Sequence, residues 1–322
     1  MQQPIQLKKS SSTIRTTVKL LFLVTGPFFL PLRYENNNLL GIGFMLLAMF
    51  LFETMDALVK WLVVADHSVV LILFIRSWLI VGMILLYLGW RGQLSMLRTR
   101  RPVQHAVRGM IGFLAPFCFF LALKTLPLAD ATVVFFSSTF ILTAGSAIFF
   151  RERVGPHRWS AVVIGFGGVM IAMNPGGGGE ISAYLLVLIA TTVYAALFLS
   201  GKYLSREDSV MLLVFSFNLG VGVVASLALP WVWQPVPLEV LLQIAVLSVI
   251  AFAGHFAFNA AFAHADVSVL APFEYFALVW ATLIGYLIWR DIPALEVWIG
   301  AVIITACGLY VVHRESLRRK AQ

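Results

Sequence analysis

The sequence predicts an all-α integral membrane protein with ten transmembrane helices, and composition is the first reason. Of its 322 residues, 60% are hydrophobic and only 12% are charged, whereas soluble domains are about 45–50% apolar and about 25% charged. Hydrocarbon is therefore the expected solvent for most of the surface. The net charge of +8 does not indicate nucleic-acid binding, because the basic residues lie in short links between apolar segments instead of on one face.

The second reason is the number of apolar segments long enough to cross a bilayer, which takes about 20 helical residues. Polar residues, prolines and glycines separate ten such segments, and the links between them are too short for an inserted soluble domain. The segments are 39–62, 69–89, 103–123, 128–150, 157–173, 181–201, 209–229, 238–262, 268–289 and 294–313.

The third reason is an internal repeat. Glu152 aligns with Asp291 at a spacing of 139 residues, and Lys60 aligns with Lys202 at a spacing of 142. Each repeat contains five apolar segments. Because five is an odd number, the second repeat must enter the membrane from the side opposite to the first. The sequence therefore predicts two inverted five-helix repeats, an arrangement that many secondary transporters use.

Charge in the links predicts the orientation of the chain. With the amino terminus in the cytoplasm, nineteen Lys and Arg residues fall on the cytoplasmic side and three on the other, the bias typical of inner-membrane proteins. We therefore expect a multi-pass protein of the cell inner membrane with both termini cytoplasmic. The expected organisation is a cytoplasmic extension at 1–38, a first repeat at 39–173, an outward Gly-rich link at 174–180, a second repeat at 181–313 and a basic cytoplasmic tail at 314–322.

Four local patterns are typical of one family. They are "DALVKWL" (56–62), "LILFIRSWL" (71–79), "ALKTLPLADATVVFFSSTFILTAGSAIFFRERV" (122–154) and "AFAHADVSVLAPFEYFALVWATLIGYLIWRDIP" (261–293). Together with the two five-span halves, they resemble EamA-type members of the drug/metabolite transporter superfamily over about residues 39 to 313. The resemblance implies a secondary transporter of a small organic metabolite, working by alternating access as a monomer or homodimer. The run "PFEYFALVWATLIGYLIW" is most similar to branches that include riboflavin and S-adenosylmethionine carriers, while other branches export amino acids.

Charged residues inside apolar segments are the first candidates for a site. Glu53, Asp56 and Lys60 are three and four residues apart, so they share one helical face. A charge at mid-bilayer costs roughly 2.5–3.5 kcal/mol, so this face is expected to point to the bundle interior or to an aqueous cavity. Lys60 has a second interpretation, in which it ends its span by reaching the outer interface. Arg76 is expected to pair with Glu53 or Asp56, either as a structural ion pair or as a positive site for a substrate carboxylate or phosphate.

The second half adds polar candidates. Glu274 and Tyr275 follow Pro272, which can interrupt a helix and leave backbone groups to line a cavity. Glu274 is a candidate for proton coupling or for binding a substrate ammonium group. His255 and Asn259 share a face of the eighth segment, where they can bond to neighbouring helices, and His255 can also carry a proton.

Aromatic residues and absent motifs complete the prediction. Trp78, Phe136 and Trp280 either form walls for a flat substrate or simply pack. No catalytic residue, metal or cofactor is expected. "NPGGGGE" (174–180) lacks the GK[ST] of a phosphate-binding loop, and His255 and His264 are not at metal-ligand spacing on one face. The alternative function is a membrane enzyme acting on lipid-linked substrates, but that would need clustered acids, histidines or metal ligands, which this sequence disperses. The expected partners are a small-molecule metabolite and membrane lipid.

Overall fold

The computed structural model describes residues 37–149, 155–174, 181–204 and 208–320, and within these ranges the chain forms α-helices, one short 3₁₀ helix and no β-strand. The α-helices are α1 (Asn38–Val64), α2 (Val69–Trp90), α3 (Pro102–Gly112), α4 (Leu114–Ala122), α5 (Leu128–Phe135), α6 (Ser138–Phe149), α7 (Pro156–Met173), α8 (Ile181–Leu204), α9 (Val210–Val232), α10 (Leu238–His264), α11 (Val267–Glu274), α12 (Phe276–Trp289) and α13 (Leu295–Lys320); the 3₁₀ helix is Leu94–Leu97. Nearly all of the predicted extension at 1–38, Glu152 of the repeat alignment, most of the link at 174–180 and the last two residues of the tail lie outside the described residues.

Apolar helices confirm the predicted class of all-α membrane protein. Within the described ranges, nine helical stretches are long and apolar enough to cross a membrane, so the protein is multi-pass. The remaining predicted segment, 157–173, corresponds to α7, whose first turn carries the polar residues His157 and Arg158. Those residues shorten the apolar part of α7. The count of ten therefore stays a prediction, although α7 packs along α13.

Two of the predicted spans are interrupted at equivalent positions. The span made of α5 and α6 breaks at Phe136 and Ser137, and the span made of α11 and α12 breaks at Tyr275. At both breaks the backbone tightens to bonds between residues three apart: Thr139 N donates to Phe136 O at 3.2 Å and Leu278 N donates to Tyr275 O at 3.1 Å. The two bonds lie at matching positions of the two repeats, so these two spans share one design. The break between α3 and α4 at Phe113 has no counterpart in α10.

Helix packing follows an approximate two-fold symmetry between the repeats. Three contacts occur twice, with the roles of the repeats exchanged. The contact of α1 with α10 corresponds to that of α8 with α4, α1 with α12 corresponds to α8 with α6, and α2 with α10 corresponds to α9 with α3. The α2–α9 and α7–α13 pairs each join equivalent helices of the two repeats. The two halves therefore interlock instead of forming separate bundles.

The loops define the two ends of the bundle. The Lys60 end comprises residues 65–68, 123–127, 233–237 and 290–294, and the His105 end comprises residues 91–101, 208–209 and 265–266. Tyr184, near the start of α8, donates a hydrogen bond to Asp130, which interacts electrostatically with Lys60 near the end of α1. The start of α8 and the end of α1 thus lie together. These two equivalent helices run in opposite directions, as an inverted repeat requires.

Glycines allow the backbones of α3 and α9 to touch. A Cβ atom added at Gly220 would collide with the carbonyl carbon of Gly109, and one added at Gly109 would lie 2.5 Å from Ser216 O. We expect Gly220→Val to destabilise the folded protein by about 1–3 kcal/mol, the usual cost of overpacking, because a backbone atom cannot rotate aside. Melting temperature in detergent measures the effect. Gly82→Val on α2 is the control, since nothing lies within 4 Å of its added Cβ; equal losses in the two variants would contradict the assignment.

Candidate functional site

Acidic residues of α1 point into the bundle. Glu53 is 5% exposed, and Thr132 Oγ1 lies 3.4 Å from its Oε2, within hydrogen-bonding range. Glu53 also interacts electrostatically with Asp56, three residues further along the helix. Asp56 keeps partial exposure. The helical spacing of the two carboxylates therefore places both on the interior face of α1, next to the α5 residue Thr132.

Arg76 of α2 lies opposite these acids. Its side chain is buried at 7% exposure, and its guanidinium carbon lies 5.7 Å from the centre of the Phe120 ring. It interacts electrostatically with Asp56 and His255. Among the described residues, however, Nε of Arg76 has no hydrogen-bond partner, and the ion pairs shorter than 4.0 Å do not include this arginine. The structure therefore brings Arg76 near Asp56 without pairing the two directly.

The polar residues of α10 differ in what they face. The ring of His255 makes an edge contact with Phe52 of α1, with centroids 5.1 Å apart, and it is close enough to Arg76 to interact electrostatically. Asn259 Nδ2 donates to the carbonyl oxygen of His255 at 2.7 Å, within its own helix. His255 thus belongs to the group around Arg76, whereas this donor of Asn259 is used locally.

The two helix breaks meet at the interface between the repeats. The rings of Phe136 and Tyr275 lie 4.8 Å apart, and the side chain of Tyr275 also interacts with Thr139. Glu274, the last residue of α11, is partly buried and interacts electrostatically with Tyr275 and with Tyr194 of α8. Glu274 therefore lies where a break in one repeat faces the other repeat.

Of the remaining aromatic candidates, one packs toward the interior and one does not. Trp280 of α12 contacts Phe50 of α1 with ring centroids 5.1 Å apart, and its Nε1 is buried without a partner among the described residues. Trp78 Nε1 donates to Ser226 Oγ of α9 at 3.0 Å, and Trp78 is 40% exposed. Because two residues rotate a helix by about 200°, Trp78 points away from the Arg76 group.

Lys60 forms a second cluster, at the Lys60 end of the bundle. The lysine is 5% exposed, and its Nζ lies 2.9 Å from Asp291 Oδ2, 3.0 Å from Leu126 O and 4.8 Å from the centre of the Trp289 ring. Of the two interpretations of Lys60, the structure shows the interior one. Asp291 directly follows Arg290, whose left-handed backbone (φ of 60°) ends α12.

Asp130 belongs to the same cluster, although it is not among the site residues predicted from the sequence. Asp130 is 7% exposed. Its Oδ2 accepts a bond from Tyr184 Oη at 3.1 Å, its Oδ1 has no partner in the described part of the chain, and it interacts electrostatically with Lys60 and Asp291. A signal was present, because Asp130 is an acidic residue inside an apolar segment, the criterion that selected Glu53.

A third polar group joins the repeats at the His105 end. His105 of α3 is 3% exposed; its Nε2 lies 2.9 Å from Asp208 Oδ2 and its Nδ1 lies 3.0 Å from Ser216 Oγ. Thr99 Oγ1 also donates to Asp208 at 3.1 Å. Polar contacts therefore connect the two repeats at both ends of the bundle. In the ranges that the structure covers, no group of three or more His, Cys, Asp and Glu side chains is arranged to hold a metal.

Comparison with known proteins gives this geometry a context. The model of the EamA-like transporter family matches the chain twice, at residues 39–174 and 181–313. The pseudopaline exporter of Pseudomonas aeruginosa is 30% identical over 280 residues, covering 83% of this chain and 94% of that protein. A riboflavin transporter of Rhizobium johnstonii is 28% identical over 234 residues, covering 70% of this chain and 76% of that protein.

Two further matches agree with these. An S-adenosylmethionine uptake transporter of Rickettsia bellii is 26% identical over 279 residues, covering 86% of this chain and 94% of that protein. A solved crystal structure matches with a TM-score of 0.55 at 18% identity, covering 86% of this chain and 99% of that one, which shows a shared fold. The twofold family match and the transporters among its relatives indicate a transporter and not an enzyme. The chain belongs to the EamA-like transporter family.

Proposed function

We propose that this protein is a secondary carrier that moves a small organic metabolite across the cell inner membrane by alternating access. The observation that carries the proposal is Arg76, a buried cation whose Nε lacks a partner among the described residues. An intramembrane charge is costly unless it is compensated, and a buried donor left unsatisfied costs about 1–3 kcal/mol or more. A substrate anion, carboxylate or phosphate, would satisfy Arg76 while Asp56 and Glu53 stay close enough to bind a cationic group.

Partial exposure in mid-span supports a space inside the bundle. Asp56, His255 and Glu274 are each partly exposed, although electrostatic contacts direct Asp56 and His255 toward Arg76. These contacts support the proposal that the accessible surface of Asp56 and His255 faces an internal space and not lipid. Phe136, Tyr275 and Trp280 lie on helices that meet across the repeats and would form its aromatic walls.

Alternating access is supported by the inverted repeats and by the polar contacts at both ends. The Lys60–Asp291 pair links the first repeat to the second at one end, and the His105–Asp208 pair does so at the other. Breaking one set while keeping the other would open one end at a time. The distribution of Lys and Arg supports a cytoplasmic His105 end, with both termini on that side.

Substrate candidates are riboflavin-like, S-adenosylmethionine-like and amino-acid-like solutes, since relatives carry riboflavin, S-adenosylmethionine and pseudopaline. The test is a metabolite comparison of deletion and overexpressing cells, followed by flux into proteoliposomes with and without a pH gradient. One solute should change in opposite senses in the two strains and cross only vesicles that contain the protein. Absence of any such flux, together with a lipid-modifying activity, would overturn the carrier and favour the membrane enzyme.

Glu274 provides a specific test of coupling. We expect Glu274→Gln to reduce flux about tenfold at unchanged abundance, because glutamine keeps the size of the side chain but can neither release a proton nor pair with an ammonium group. Initial rates in proteoliposomes measure the effect. The control is Glu239→Gln, at an exposed position in the first turn of α10. Full flux in Glu274→Gln would remove Glu274 from the site.

A further inference from the structure

The cluster of Lys60, Asp130 and Asp291 contains one cation and two carboxylates, and the proposed transport site does not use them. Lys60 Nζ bonds directly to Asp291, whose side chain is 29% exposed, whereas the Lys60 side chain is 7% exposed. Asp130 is nearly as buried as Lys60, but within the described ranges it receives only the bond from Tyr184. With all three groups ionised, the cluster would have a net negative charge around two largely buried side chains, which is unfavourable.

The unpartnered oxygen of Asp130, Oδ1, bears on whether this carboxyl is charged or neutral. A buried carboxylate is stable as an anion when donors or a cation cover both oxygens, and Oδ1 of Asp130 has neither among the described residues. The cation that could cover it is Lys60, which acts on Asp130 electrostatically but is bonded to Asp291 and Leu126 O. Asp130 and Asp291 therefore compete for a single ammonium group.

We infer that Asp130 is a proton-binding site that controls closure of the Lys60 end. With a proton on Asp130, the carboxyl is neutral and Lys60 stays on Asp291, which holds α1 of the first repeat to the end of α12 in the second. Loss of that proton to water leaves an anion that attracts Lys60 away from Asp291, so the contact between the repeats weakens and this end opens. No bond other than O–H is broken, and the proton goes to solvent.

The groups around Asp130 give the pH dependence its sign. Tyr184 from α8, Lys60 from α1 and Asp291 after α12 are the titratable groups that act on it. Low pH keeps Asp130 protonated and the end closed, and high pH opens it. The inference depends on the proposed carrier function only because a carrier must open at this end; it requires no particular substrate.

The experiment measures opening directly. In a variant with Cys118 and Cys307 replaced by alanine, Leu126→Cys places a thiol at a position that is 4% exposed. Its modification rate by a membrane-impermeant thiol reagent is measured in otherwise native protein and in Asp130→Asn from about pH 5.5 to about pH 8. Dividing the two rates removes the intrinsic pH dependence of the thiol. We expect the ratio to rise about tenfold with pH, because asparagine mimics the protonated, closed state.

Two further variants make the result unambiguous. Tyr184→Phe removes the donor that stabilises the Asp130 anion, so opening should move to higher pH. Asp66→Asn is the matched control at the same end: Asp66 pairs with Lys124 at 2.6 Å on the surface, and this hydrogen bond lowers the pKa of Asp66 below its ordinary value of 3.8. Asp66 stays ionised across the measured range, so Asp66→Asn should keep the native pH profile.

Each outcome supports or overturns the inference. A constant ratio, or an unchanged profile in Tyr184→Phe, would overturn it even if solute flux is found, and the carrier would stand. A ratio that rises with pH while no solute crosses the membrane would support the proton site and count against the carrier.

Discussion

Replacing Arg76 by alanine is expected to reduce flux of the transported solute at least about 30-fold, with insertion and abundance nearly normal. Arg76 lacks direct ion pairing in the described structure, so the truncation breaks no existing salt bridge. What it removes is the cation available to a substrate anion, and a charge-assisted hydrogen bond contributes roughly 2 kcal/mol. Initial rates in proteoliposomes, normalised to the amount of reconstituted protein, measure the loss.

Two further variants separate binding from structure. Arg76→Lys keeps the charge but loses the planar fork of donors, so it should recover part of the flux, with weaker apparent affinity. Arg98→Ala removes an exposed arginine from the link after α2 and should leave flux unchanged. The assignment of Arg76 to the substrate site is wrong if Arg76→Ala transports normally. It is also wrong if Arg76→Lys recovers no flux and Arg76→Ala has lost its fold, because the loss of flux is then structural.

Replacing Lys60 by methionine is expected to have the largest effect on stability. It leaves Asp291 and Asp130 without their shared cation, and breaking a fully buried ion pair typically costs roughly 3–5 kcal/mol. Because Asp291 keeps 29% exposure, we expect about 2 kcal/mol, seen as a lower melting temperature in detergent. The Lys60 end should also open, so the Leu126→Cys thiol should be modified rapidly at every pH.

A double-mutant cycle tests the contact itself. Lys60→Met combined with Asp291→Asn should be less destabilising than the sum of the two single variants, because the second change removes the carboxylate that the first left unpaired. Lys124→Met is the surface comparison, since Lys124 and Asp66 are 48% and 82% exposed; its effect should be small. Strict additivity of Lys60→Met and Asp291→Asn would show that their pair does not stabilise the fold.

The fold could be predicted from the sequence wherever the sequence pattern that determines it is local. Apolar length located nine membrane-spanning stretches in the described ranges. The odd number of predicted spans per repeat indicated the inversion, which agrees with the bond from Tyr184 to Asp130 and the electrostatic interaction of Asp130 with Lys60. Pro272 marks one discontinuous span directly. The matching break at Phe136 has no proline or glycine beside it, so only the symmetry of the repeat could have indicated it.

The site was less predictable because its contacts are not local. Spacing placed Glu53 and Asp56 on one face and suggested Arg76 as a partner, but sequence cannot show that Arg76 stays near Asp56 without bonding to it. Lys60 bonds to Asp291 across a separation of 231 residues. Helical periodicity cannot identify a partner so distant in the sequence. Trp78 was grouped with the interior aromatics by residue type alone, whereas its hydrogen bond to α9 directs it elsewhere.

The two helix breaks match in backbone but not in chemistry, and this has an energetic consequence. Glu274 stands where the first repeat has Phe135; the ring of Tyr194 of α8 packs against Phe135, and Tyr194 interacts electrostatically with Glu274. A transporter whose halves were identical would have inward-facing and outward-facing conformations of equal free energy. Here the carboxyl is present in one repeat only, so under the proposed alternating access we expect the two conformations to differ in free energy and the unloaded protein to populate them unequally.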